Sequence, residues 1–390
     1  MRRIGIYGGT FNPPHLGHIQ GAKYAIEALE LDHVLLIPDD IPPHKILPEG
    51  SGDARQRLEM VTLAAMDEPN IVPCDAEILR GGISYTYQTI DILREKYPDS
   101  ELVLLMGGDV LQNFLNWKCV DSILNNASVG VMFRGNAGEA DSVREKIREL
   151  ETMGATVYPI DNPIINISST QLRRMLVFRC AQPFLSEHVL DYIRRNRLYG
   201  TEDDYRNLPI ERLESMVTSL LKPNRVNHVL GCREAAVDLA KRWGADETDA
   251  ARAGLLHDIT KALDPFLQLT LCREYGITLD AFSQKNPKTL HALTGSLVAR
   301  HIFGENDAVV NAVRHHTTGK ANMSLLEKII YVADYMEPNR VFAGVEELRQ
   351  LAYSDLDAAL KRGLEMTVEL LRQQGRTVSP ESLEALEYLK

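Results

Sequence analysis

Two hydrophobic patterns divide this chain. Up to about residue 200, short, fully apolar runs recur at Ile4–Tyr7, Val34–Ile37, Leu102–Met106 and Val129–Phe133. Runs with no polar alternation are what strands covered on both faces require. Between them, apolar residues take helical spacing over Leu16–Leu29, Ala54–Met66, Thr86–Tyr97 and Ser142–Met153, and two more helical stretches follow at Ser169–Val177 and Ser186–Arg195. Strand and helix in alternation predict a parallel, Rossmann-like α/β sheet. Ligands of such sheets gather at the carboxyl ends of the strands, where Gly8-Gly9 and Gly107-Gly108-Asp109 fall.

The pattern changes after the short acidic stretch Gly200-Thr201-Glu202-Asp203-Asp204. A linker is expected over residues 200–207, between domains at residues 1–202 and 208–390. From Ile210 onward only helical periodicity remains, including Arg225–Trp243, Ala250–Leu263, Leu290–Phe303, Asp307–Arg314 and Leu325–Tyr335. The second domain is therefore expected to be all-α.

A length of 390 residues suffices for two hydrophobic cores. The net charge of −11 argues against a long nucleic-acid groove, which needs clustered Lys and Arg, but leaves room for free nucleotides in local cradles. The five cysteines form no Cys-x-x-Cys pair and read as reduced thiols of a cytoplasmic protein. No long apolar stretch follows Met1-Arg2-Arg3 and no run reaches the length of a membrane span, so neither signal peptide nor membrane partner is expected. A homo-oligomer stays open.

The first concentration of chemistry is Ile4-Gly-Ile-Tyr-Gly-Gly-Thr-Phe-Asn-Pro-Pro-His-Leu-Gly-His18. Gly8 and Gly9 let backbone N–H groups approach a phosphate, and His15 and His18 stand at the start of a helix, itself an anion site. Pro42-Pro43-His44-Lys45 forms a stiff loop with two cationic candidates. Thr86 suits a substrate contact or a helix N-cap, Asp109 a substrate contact or a cap, and Trp117 a stacking plane or core. Arg134 follows an apolar strand and suits an anion, while Ser169 and Arg173, in Ile-Ser-Ser-Thr-Gln-Leu-Arg, open another helix as a second phosphate site.

Gly-Gly-Thr-Phe-Asn-Pro-Pro-His-Leu-Gly-His resembles the signature of the HIGH-type nucleotidyltransferases, and within them the bacterial nicotinate-nucleotide adenylyltransferases, over about residues 1 to 200. The resemblance implies transfer of AMP from ATP, with its Mg²⁺, to nicotinate mononucleotide. It places Gly8, Gly9, Thr10, Phe11, His15, His18, Ser169 and Arg173 with ATP, and Thr86, Asp109, Trp117 and Arg134 with the pyridine nucleotide.

The second domain carries His228, His257-Asp258, His291, His315-His316 and Asp334 on or beside separate predicted helices. His and Asp delivered inward from several helices build a metal site, and mixed imidazole and carboxylate suits iron, manganese or cobalt, and zinc less exclusively, with iron or manganese foremost. Asp258, read as lying inside an apolar helix, is costly to bury unless paired or metal-bound. Lys261 falls four residues after His257, within reach of a phosphate. This order resembles the HD-domain phosphohydrolases, and Leu-Leu-His-Asp-Ile-Thr-Lys, His-His-Thr-Thr-Gly-Lys and Tyr-Val-Ala-Asp-Tyr-Met-Glu-Pro-Asn-Arg resemble the YqeK-type symmetrical bis(5′-nucleosyl)-tetraphosphatases. The resemblance implies two divalent metals on His228, His257, Asp258, His291, His316 and Asp334, with Asp258 bridging. Lys261 and Arg340 are implied on phosphate, and diadenosine tetraphosphate is the implied substrate. His315 stands where that family often has tyrosine and is left as a neighbour. Another nucleotide, a capped RNA end, or a regulatory nucleotide sensor remain alternatives for this half.

Overall fold

The computed structural model describes residues 2–133, 137–161 and 167–390, with no side-chain description for 137–139. The chain falls into two units, Met1–Asp203 and Asp204–Lys390.

In the first unit, β1 (Arg2–Gly9), α1 (Leu16–Leu29), β2 (His33–Pro38), α2 (Ala54–Ala65), β3 (Ile71–Pro73), α3 (Ala76–Arg80), α4 (Thr86–Lys96) and β4 (Ser100–Gly107) are followed by α5 (Gly108–Leu111), α6 (Val120–Asn126), β5 (Ser128–Phe133), α7 (Ala137–Thr152), β6 (Val157–Asp161), α8 (Ser169–Val177) and α9 (Glu187–Arg195). The six strands form one parallel sheet in the order β3-β2-β1-β4-β5-β6. The four apolar runs are its four inner strands. The edge strands β3 and β6 went unread because they are short and half-exposed: only Ile71 of β3 is buried, and only Val157 and Ile160 of β6. Ile4, Ile6, Leu102 and Leu104 pack on one face of the sheet, and Val34, Leu36, Val103 and Leu105 on the other. Strand order reverses between β1 and β4, so a crevice opens beyond Gly9 and Gly107.

The second unit is helical: α10 (Ile210–Leu220), α11 (Pro223–Trp243), α12 (Glu247–Leu256), α13 (Pro265–Glu274), α14 (Ala281–Lys285), α15 (Leu290–His301), α16 (Asp307–His315), α17 (Leu325–Met336), α18 (Val345–Ser354), α19 (Leu356–Gln373) and α20 (Pro380–Tyr388). Helices α11, α12, α15, α16 and α17 pack on one another around the histidines. One expectation is corrected here. The helix read over Ala250–Leu263 ends at Leu256, and Asp258 sits in the following turn. The His257 ring takes the Gly254 carbonyl at 2.7 Å, the acceptor that Asp258 N–H would need to continue the helix. Tighter i−3 bonds follow, from Ile259 to Leu256 and from Lys261 to Asp258, and Asp264 then caps α13 at Pro265.

The five cysteines form no disulfide with one another. Among the described residues, no helix is long and apolar enough to cross a membrane.

Candidate functional sites

A cavity of about 580 Å³ occupies the crevice of the first unit, lined by Gly8, Gly9, Thr10, His15, His18, Thr86, Asp109, Trp117 and Ser169. Residues separated by up to 163 positions in sequence, from Ile6 to Ser169, thus share one hollow at the switch point. His15 and His18 stack with ring centroids 3.7 Å apart. The His15 backbone N–H donates to His18 Nδ1 at 3.1 Å, so the His18 ring proton sits on Nε2, where it can be donated to an anion. Burial pushes His15 down to about 3 and His18 well below its ordinary value, so both rings are neutral near pH 7.

Two expected residues stand behind the cavity instead of lining it. Phe11 is buried, edge-on to His18 at 4.9 Å. Arg173 donates to the Asn12 carbonyl at 2.7 Å and ties α8 to the loop that leads into His15. Arg134 lies outside the described residues. His44 and Lys45 line the cavity, as does Lys118, which sequence reasoning passed over. Lys118 Nζ stands 4.4 Å from the centroid of the Tyr85 ring.

Arg57 was also missed. It is 1% exposed and donates to Asp39 Oδ1 at 2.6 Å, the Thr10 carbonyl at 2.8 Å and the Asp40 carbonyl at 2.9 Å. Thr10 Oγ1 donates to Asp39 Oδ2 at 2.8 Å. The glycine turn is thus clamped to the end of β2. An arginine on an apparently amphipathic helix gives no sign of this.

In the second unit, the potential ligand atoms of His228, His257 and Asp258 lie within 4.8 Å of one another, and so do those of Asp258, His291 and His316. Asp258 divides its oxygens between the two groups. Oδ2 lies 3.8 and 3.6 Å from Nε2 of His228 and His257, while Oδ1 lies 3.4 and 3.7 Å from Nε2 of His291 and His316. Asp334 Oδ1 joins the first group, 3.1 Å from His228 Nε2. The Nε2 atoms of His228 and His257 are 3.2 Å apart, as are those of His291 and His316. Burial lowers His257 and His291 well below their ordinary range and His316 to about 4. Imidazoles converging on carboxylates are a donor set that fits two divalent cations with a shared aspartate.

Three cations rim the cluster. Lys261 Nζ stands 2.8 Å from His291 Nε2, Arg340 Nη2 stands 2.6 Å from Asp334 Oδ1, and Arg225, unanticipated from sequence, pairs with Asp258. Burial lowers Lys261 to about 8. His315 faces elsewhere, with Nδ1 3.0 Å from Glu327 Oε1, an oxygen it shares with Lys320.

Residues 6–175 match the cytidylyltransferase-like family and residues 225–339 the HD domain family. Over 202 residues the chain is 35% identical to a probable nicotinate-nucleotide adenylyltransferase of Dictyoglomus turgidum, covering 52% of this chain and 97% of the relative. Over 169 residues it is 41% identical to a symmetrical bis(5′-nucleosyl)-tetraphosphatase of Halalkalibacterium halodurans, covering 43% of this chain and 90% of the relative. A solved structure from Clostridium acetobutylicum, described as a predicted HD superfamily hydrolase involved in NAD metabolism, is 37% identical, with a TM-score of 0.46, over 47% of this chain and 97% of that one.

Proposed function

The chain belongs to the nicotinate-nucleotide adenylyltransferase family over its first half and to the HD-domain symmetrical bis(5′-nucleosyl)-tetraphosphatase family over its second, and from that premise we propose a bifunctional enzyme with one active site in each unit. The observation that carries the first activity is the stacked His15–His18 pair beside Gly8-Gly9 at the carboxyl end of β1. The 5′-phosphate of nicotinate mononucleotide attacks the α-phosphorus of ATP. The α–β bridging bond breaks, and pyrophosphate leaves nicotinate adenine dinucleotide behind. No group on the protein is adenylylated or phosphorylated. Catalysis is positioning plus neutralisation of charge that grows on the phosphoryl oxygens. His18 Nε2–H and His15 donate to those oxygens. Gly8, Gly9 and Thr10 supply backbone approach, with Phe11 bracing His18 from behind. Ser169, at the amino end of α8, serves the β- and γ-phosphates, Arg173 supports that end from behind by holding α8 to the Asn12 carbonyl, and Mg²⁺ enters with ATP. Thr86, Asp109 and Trp117 hold the pyridine nucleotide, and Arg134 is assigned to the same side.

The second activity rests on the division of Asp258 between two histidine pairs. His228, His257 and Asp334 would hold one divalent cation and His291 and His316 the other, with Asp258 placed to serve both. The mixed nitrogen and oxygen donors favour iron or manganese. When bound, such a pair would supply a water acidic enough to act as a nucleophile near neutral pH. The reaction is diadenosine tetraphosphate plus water to two ADP, with the central phosphoanhydride broken. Arg225, Lys261 and Arg340 spread positive charge along the tetraphosphate and orient it. Free thiols and nucleotide substrates suit the cytoplasm.

Anion-exchange chromatography of the products tests both assignments. Nicotinate mononucleotide with Mg²⁺ and ATP should yield nicotinate adenine dinucleotide and pyrophosphate. Diadenosine tetraphosphate with Mn²⁺ or Fe²⁺ should yield ADP alone. ATP plus AMP would refute symmetric cleavage.

A further inference from the structure

The four inward-facing imidazoles are not held in the same way. His257 gives Nδ1–H to the Gly254 carbonyl at 2.7 Å, His291 to Lys288 at 2.8 Å and His316 to Val313 at 2.7 Å. Each acceptor lies three residues upstream, at or beside a helix end. His228 has no such option. It stands inside the 21-residue α11, whose upstream carbonyls are taken by the helix ladder. Its partner comes from another element. Glu337, just past α17 and 1% exposed, places Oε1 3.1 Å from His228 Nδ1.

The second oxygen of Glu337 is pinned as well. Oε2 accepts from the Asn339 backbone N–H at 2.7 Å and from Asn339 Nδ2 at 2.9 Å. Asn339 Nδ2 also donates to the Asn227 carbonyl at 3.0 Å, on α11 itself. The carboxylate sits in a notch of α11 that only glycine provides. A Cβ at Gly231, one turn beyond His228, would lie 2.5 Å from Glu337 Oε2 and 2.9 Å from Asn339 Nδ2. Glycine is disfavoured inside a helix, so its presence here is explained by the close approach it permits.

We propose that Glu337, seated in the Gly231 notch and braced by Asn339, is a positioning residue that orients His228 and strengthens it as a ligand for one of the two divalent cations. The Glu337 carboxylate engages Nδ1 of His228, which leaves Nε2, 3.1 Å from Asp334 Oδ1, as the ring atom that would face a cation. A carboxylate partner makes an imidazole a better donor than a neutral carbonyl partner does. The two halves of the centre are therefore unequal. The His228–His257 side depends on Glu337, and the His291–His316 side does not. The inference rests on the proposed metal centre.

The test is titration of the metal-stripped full-length chain with Co²⁺, followed by its visible absorption. Wild type should take up two ions. Glu337→Ala should weaken one of them roughly 10- to 100-fold and leave the other unchanged. Gly231→Ala, which removes no charged group, should produce the same selective loss by displacing the carboxylate. Glu337→Gln keeps an oxygen that accepts from Nδ1, so it should fall between; its matched volume keeps the test open if Glu337→Ala does not fold. Wild-type affinity for both ions in folded Glu337→Ala and Gly231→Ala would overturn the proposal. Equal weakening of both ions would overturn it too, since that marks a general loss of packing. A wild-type chain that takes up no Co²⁺ would overturn the metal centre itself.

Discussion

Replacing Arg57 by alanine should unfold the first unit more readily than almost any other single change to a polar residue. Its guanidinium satisfies Asp39 and two backbone carbonyls, with the arginine 1% and the Asp39 side chain 11% exposed. Truncation leaves the Asp39 carboxylate with Thr10 Oγ1 and strands the carbonyls of Thr10 and Asp40. Breaking a buried pair by removing one partner costs about 3–5 kcal/mol, a large part of the roughly 5–15 kcal/mol that stabilises a domain. For a unit of this size that corresponds to a fall in Tm of roughly 6–20 °C. The two tryptophans, Trp117 and Trp243, lie one in each unit, so a Trp243→Phe background lets fluorescence report the first unit alone. Urea unfolding should show a lower midpoint at an unchanged slope. Adding Asp39→Asn to Arg57→Ala should cost much less than it does in wild type, with a coupling of about 1 kcal/mol or more. A loss under about 1 kcal/mol with no coupling would refute the reasoning, because it would mean that water already serves these groups.

His18→Ala should lower adenylyl transfer roughly 10²- to 10³-fold in kcat, the usual loss for one preorganised donor, with Tm moved by only a few degrees. His15 supplies a pH dependence. Its pKa falls from an ordinary 6.5 to about 3 on folding, so between those values the unfolded chain holds a proton that the folded chain does not. Stability is full above pH 6.5 and declines as pH falls, by about 2 kcal/mol at pH 5. In urea midpoints measured against pH, His15→Gln should flatten this acid limb; an unchanged slope would contradict the assignment. Stripping the protein with a chelator and returning it to Mg²⁺ should restore adenylyl transfer, while hydrolysis of diadenosine tetraphosphate should need Mn²⁺ or Fe²⁺ as well.

What the sequence disclosed follows from the range of the signals involved. Inner strands are apolar on both faces, so Val34–Ile37 and Leu102–Met106 stand out, whereas three-residue β3 carries one buried side chain and no period. The buried cluster of His and Asp side chains was legible because these residues are rare in apolar helical stretches and stand out singly. The turn at Asp258 was not, because the chain bends where a side chain of His257 takes a backbone acceptor, an event with no compositional trace. Arg57, Arg225 and Glu337 escaped for a related reason. Each looks like an ordinary charged residue on or beside a helix, and its meaning lies in partners 18 to 109 residues away. Gly231 was the available hint: a glycine inside a long helix, three residues after a candidate ligand, signals a close approach.

The central claim is that two chemically distinct sites share one chain. Both reactions should be measured in wild type, in His18→Ala and in a His257→Ala/Asp258→Ala variant, with products separated by anion exchange. The account predicts that His18→Ala loses adenylyl transfer and keeps cleavage to ADP, and that the double variant does the reverse. Loss of both reactions in either folded variant, or persistence of ADP formation in the double variant, would contradict it.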